Sequence, residues 1–198
     1  MATDVQICNL ALTAVGANTL LSLGDNTNEG RLCTIFYPLY RDYLLRLHPW
    51  NFLQTRASLA QLSTVPAFGF DFAFQLPSDC LRVTETDMTV HDEWRVEGKT
   101  IVCNVSTVNI VYNKAVTDPT LFDPLFEVAL AFLIAWKLSK VLTGKQNFTK
   151  QLEEEYTQHM NIARTIDGME GTPAVINSTE LIDIRQANLV QDRDRNAL

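Results

Sequence analysis

The sequence predicts an α+β protein: a four-helix bundle with an inserted antiparallel β-meander and an extended C-terminal arm. Three observations predict it. Apolar residues recur at helical spacing up to His48 and again from Asp123 onward. Between Trp50 and Asn113 the spacing changes to alternation, the period of half-buried strands. After Gly171 neither period persists, and the chain ends in charged and polar residues. The expected segments are 1–49 with the first two helices, 50–116 with the β-rich insertion, 117–170 with the last two helices, and 171–198 as an extension that docks on a partner.

The first helix is expected over 3–15, capped by Thr3 or Asp4 and ended by Gly16. Val5, Cys8, Leu12 and Val15 form its stripe, thickened by Ile7 and Ala11. A loop follows to Asn28, punctuated by Gly24-Asp-Asn-Thr-Asn28. The second helix runs from near Asn28 to His48, where Pro49 stops it. Leu32, Phe36, Leu39, Tyr40, Tyr43 and Leu47 make its expected buried face. Pro38 lies inside it and costs about 3 kcal/mol there, so a kink or a break is expected.

Phe68, Phe70, Phe72, Phe74 and Leu76 alternate with smaller or polar residues and predict one strand. Leu81 and Val83 predict another. Trp94 and Val96, then Ile101 and Cys103, flank Glu97-Gly98-Lys99 as the arms of a hairpin. Val108, Ile110 and Tyr112 mark a last strand, giving an antiparallel meander of four to six.

The stretch from Pro119 to Gly144 organises the rest. Asp123 is the expected N-cap, Pro124 the first helical residue, and Gly144 stands just past the end. From Leu125 to Trp136 only Glu127 interrupts an apolar run, so this helix needs cover on most sides, from its own domain or from a neighbouring subunit. The run is too short for a membrane span, and no membrane partner is expected. The fourth helix is expected over 146–167, with Phe148, Leu152, Tyr156, Met160 and Ala163 as its stripe and Gly168 at its end. Glu153 to Glu155 form a solvated face.

The formal net charge is −7, which supplies no footprint for gripping nucleic acid. The four cysteines, Cys8, Cys33, Cys80 and Cys103, sit in apolar context without CxxC spacing and are expected as small buried hydrophobes in a reduced compartment. No secretory leader is expected, and the three Asn-x-Ser/Thr triplets are chance matches. No catalytic residue, cofactor site or metal site stands out. His91-Asp92-Glu93 is the tightest group of acid–base residues, but consecutive side chains point apart and a solvated loop is expected. Thr143-Gly144-Lys145 closes a helix instead of opening one, unlike a phosphate loop. His48 is expected at a helix end and His159 in a partly buried position. Candidate partner-binding residues are Ile182, Ile184, Leu189 and Val190 in the arm, together with Trp50 and Phe52.

Several blocks, taken in order, resemble the tail tubular protein A, or head-to-tail adaptor, family of short-tailed bacteriophages. They are Ile7-Cys-Asn-Leu-Ala-Leu-Thr-Ala-Val-Gly-Ala17, Tyr37-Pro-Leu-Tyr-Arg-Asp-Tyr-Leu-Leu-Arg-Leu-His-Pro-Trp-Asn-Phe52, Arg56-Ala-Ser-Leu-Ala60, Phe74-Gln-Leu-Pro-Ser-Asp-Cys-Leu-Arg-Val83 and the helix after Tyr112-Asn-Lys. The most specific is Leu44 to Phe52. The resemblance covers residues 2–170 and stops before the C-terminal extension. It implies a helical bundle with a β-rich insertion, assembled as a twelvefold ring beneath the portal protein. The other face of the ring would hold the tail nozzle, tail tubular protein B, with tail fibres near that junction. DNA would pass through the bore without specific binding. The protein would belong to the virion tail and neck, and to the host cytoplasm during assembly. The family carries no catalytic residues to transfer. The alternatives are another neck component, such as a stopper or tail completion protein, and a cell-wall hydrolase carried by the tail.

Overall fold

The structure, a computed structural model, describes residues 3–89 and 91–171. It is α+β, with helices α1 (Asp4–Val15), α2 (Asn28–Leu47), α3 (Pro124–Leu142) and α4 (Gln146–Met169). The starts of α1, α2 and α3 are written in local chemistry. Thr3 and Gln6 form a reciprocal capping box at α1, with Thr3 Oγ1 accepting from Gln6 N at 3.2 Å and Gln6 Oε1 from Thr3 N at 2.9 Å. Thr27 caps α2 by accepting from Gly30 N at 3.0 Å. Asp123 caps α3, its Oδ1 accepting from Leu125 N at 2.8 Å, with Pro124 in the first turn. Pro119–Leu121 is a separate 3-10 turn capped by Asp118. Gly16, at φ 78°, ends α1 in the left-handed conformation that favours glycine.

α3 is covered by its own chain. Phe126, Ala129, Leu130, Ala131, Leu133, Ile134, Ala135 and Leu138 are all buried, which is apolar cover nearly all round the helix. They share one core with Ile7, Cys8, Ala11, Leu12 and Val15 of α1, with Cys33, Tyr37, Leu44 and Leu45 of α2, and with Leu152, Met160 and Ala163 of α4. Trp136 stacks on Tyr156, and Phe132 on His159, across the α3–α4 contact. The α4 stripe is thus the expected one, although the helix continues through Gly168 to Met169.

α2 departs from expectation twice. It runs through Pro38 as one helix of 20 residues. Burying Leu44 and Leu45 contributes roughly 1.5–3 kcal/mol each, enough to offset the cost of one interior proline. Its buried row is Gly30, Cys33, Tyr37, Leu44 and Leu45. The apolar row expected inside instead faces outward or sits at the margin. Leu39 is 58% exposed and Tyr43 52%, while Leu32, Phe36 and Tyr40 are only half-buried.

Seven strands lie between Gln54 and Lys114 among the described residues. β1 (Gln54–Ser58), β4 (Cys80–Thr86) and β7 (Asn109–Lys114) form one antiparallel sheet in the order β1-β7-β4. β2 (Ala60–Gln61), β3 (Phe72–Gln75), β5 (Trp94–Glu97) and β6 (Thr100–Cys103) form another in the order β2-β3-β6-β5. The meander is therefore corrected to two sheets whose neighbours are mostly distant in sequence. A second core of Phe74, Leu76, Ile101, Cys103, Val108, Ile110 and Tyr112 draws on both sheets. The β5–β6 hairpin has the expected turn, with Glu97 paired to Thr100 around Gly98-Lys99 and Gly98 at φ 61°. The strand expected over 68–76 shortens to Phe72–Gln75. Gly69 takes φ 84°, which interrupts extended backbone, and Phe68 is left 90% exposed.

Candidate interaction surfaces

The His48-Pro-Trp-Asn-Phe52 block lies where α2 hands over to β1. His48 Nε2 lies 2.9 Å from Asp167 Oδ2 in the last turns of α4, an ion pair when the imidazole is protonated. Asn51 donates from its backbone N to Asp167 Oδ1 at 2.9 Å and from Nδ2 to Asp167 O. One carboxylate thus holds both ends of the turn. From the other side Asn113 of β7 donates to His48 O at 2.9 Å and to Leu45 O. The block is a three-way fastening of α2, α4 and the first sheet.

Trp50 was expected at a partner contact, and the structure places it in the core. It is 1% exposed, its Nε1 donates to Leu44 O at 2.9 Å, and its ring meets Phe126 edge-on at 5.2 Å. An indole whose one donor finds a carbonyl inside is satisfied as a core residue. Phe52 is half-buried between Phe122 and Phe126, with ring centroids at 6.1 and 5.3 Å. Ile182, Ile184, Leu189 and Val190 lie outside the described residues.

The groups considered for chemistry are dispersed. His91 and Glu93 are exposed, while Asp92 accepts from Thr89 Oγ1 and N, each at 2.8 Å. Those bonds hold its carboxyl below the usual carboxylate range. Among the described residues no group of three or more His, Cys, Asp or Glu side chains is arranged to hold a metal ion. Cys8 and Cys33 are buried against each other between α1 and α2. The neighbouring Cys33 thiol, with burial, pushes the Cys8 thiol far above its ordinary range. Among the described residues no helix is long and apolar enough to cross a membrane.

The unsatisfied surface is apolar. Ile35, Leu39, Tyr43 and Leu47 recur every four residues along the outer side of α2, from 61% exposed at Ile35 to 39% at Leu47. Tyr43 and Leu47 share a shallow concavity with Arg46 and Arg82. Ile162 and Ile166 repeat the same spacing, also exposed, on α4. The sequence pattern singled out Leu39, Tyr43 and Leu47 but assigned them inward, and it passed over Ile35. The signal for the true inward row was Cys33, Tyr37, Leu44 and Leu45, which is weaker because it mixes a thiol and a phenol with aliphatics.

No protein-family model matches the chain, and no curated protein matches it.

Proposed function

We propose that the chain is a structural head-to-tail adaptor of a short-tailed phage virion, of the tail tubular protein A type. In this reading its four helices act as a bundle that assembles into a closed, twelvefold ring between portal protein and tail nozzle, with DNA passing through the bore. The observation that carries it is the uncovered row Ile35, Leu39, Tyr43 and Leu47 on a helix whose opposite side is fully packed. A helix apolar on two sides serves a core and a contact at once, and exposed apolar rows mark interaction sites. The resemblance of Leu44–Phe52 to the adaptor family names the kind of contact. Residues 171–198 act as an arm that docks on the portal. The net charge of −7 suits a bore along which phosphates slide.

The test is native mass spectrometry with negative-stain imaging of the purified chain, alone and mixed with its cognate portal protein. A ring in either sample supports the proposal. A monomer in both overturns it. Ring size and neighbours in the neck would separate this reading from a stopper or tail completion protein.

A further inference from the structure

We propose that neighbouring copies join through two different helices: the outer row of α2 on one copy seats on the Ile162–Ile166 row of α4 on the next. This rests on the ring reading above and assigns its two adhesive sides.

Three observations carry it. First, both rows are spaced by four residues and exposed. Rows of that spacing are the ridges that interdigitate when two helices pack, typically crossing at about 50°. Second, the rows carry opposite charge. The α2 row is bordered by Arg31 and Arg46, with Arg82 of β4 beside Leu47, and all three are exposed. The nearest acid on that side, Asp42, is held by Arg41 at 2.8 Å. The α4 row has two acids at its start, the half-buried Glu155 two turns before Ile162 on the same side and the exposed Glu154 at its edge. Copies meeting α2 to α2 would set arginine against arginine, and α4 to α4 would set glutamate against glutamate. Only the mixed pairing brings the charges into register. Third, the two rows are different surfaces, so the contact is heterologous. Such contacts propagate from copy to copy and close into a ring, whereas a self-complementary patch stops at a pair.

The test uses one blocking substitution on each face, Leu39→Asp on α2 and Ile162→Asp on α4. Both sites are surface positions, and circular dichroism with thermal melting confirms that each variant folds. Oligomeric state is read by native mass spectrometry after brief amine-reactive cross-linking, with portal protein present if the wild type needs it to assemble. Each variant alone is expected as a monomer. Mixed in equal amounts they are expected to form a heterodimer and nothing larger, because L39D keeps its α4 face, I162D keeps its α2 face, and only one good contact can form. Assembly of I162D alone overturns the pairing in favour of an α2–α2 contact. A mixture that stays monomeric shows that these rows are not each other's partners. A wild type that forms no ring, alone or on portal, overturns the adaptor reading itself, a result separable from the other two.

Discussion

Asp167 and His48 lie 2.9 Å apart although 119 positions separate them in the chain. The same carboxylate takes the backbone N–H of Asn51. Replacing Asp167 with alanine removes both acceptors at a site only 12% exposed at the side chain. The expected loss is about 2–3 kcal/mol. At roughly 2–4 °C per kcal/mol for a domain of this size, the melting temperature should fall by several degrees. Asp167→Asn, which keeps one acceptor oxygen, should lose less. Equal loss in both variants, or none, would mean that the fastening contributes nothing.

The two sides of α2 should respond oppositely to the same chemical change. Leu44→Ala empties a fully buried site and is expected to cost about 2–5 kcal/mol. Leu39→Ala, on the outer row, is expected within about 0.5 kcal/mol of wild type when measured on monomer. Urea denaturation of both variants at low protein concentration compares them directly. A large loss for Leu39→Ala would put that side chain inside.

Burial pushes the Tyr37 hydroxyl up to about 12, and Arg41 over its ring only partly opposes this. The ordinary value is 10.0, so the unfolded chain releases this proton first. The Tyr37 contribution is fully present below pH 10 and is lost as pH rises toward 12. Among the described residues its Oη is buried without a hydrogen-bond partner. Tyr37→Phe should therefore fold with equal or greater stability at neutral pH and should flatten the alkaline limb of a stability–pH curve. A curve of unchanged shape would assign that limb to other groups.

Asp25 shows the acid side. Its carboxylate accepts from Ser22 N, Leu21 N and Ser22 Oγ, which holds it below its ordinary value of 3.8. Its contribution is present above pH 3.8 and is lost as pH falls through the depressed folded value. Asp25→Asn should remove part of the acid sensitivity and loosen the Leu20–Asn28 loop, which hydrogen exchange of the Leu21 amide would report. Unchanged protection at Leu21 would assign the loop's order to other contacts.

Helix positions were legible because caps are local. Thr3, Asp123 and Gly16 fix their ends within a few residues of sequence, and the structure keeps them. The face of α2 was not legible. Two apolar rows share that helix, and nothing local says which one meets α3. Strand pairing failed for the same reason. Alternation marks Val108, Ile110 and Tyr112 as a strand but carries no information about partners. One of those partners is β1, whose Gln54-Thr-Arg-Ala-Ser58 has little apolar character. Trp50 was misjudged because aromatic size reads as anchor or core alike until Leu44 O is seen to receive its N–H. The exposed rows on α2 and α4 became visible only once cover within the chain was known.

The pairing of β1 with β7 sets Gln54 opposite Asn113, so the chain leaves the helices and returns to them through a neck two strands wide. From the helical side everything between is a single closed excursion. Residues could be added to or removed from β2, β3, β5 and β6 without altering the span from α2 to α3. That separates two kinds of change in this protein: the helices can keep their own packing while the excursion is free to be rewritten for whatever it meets.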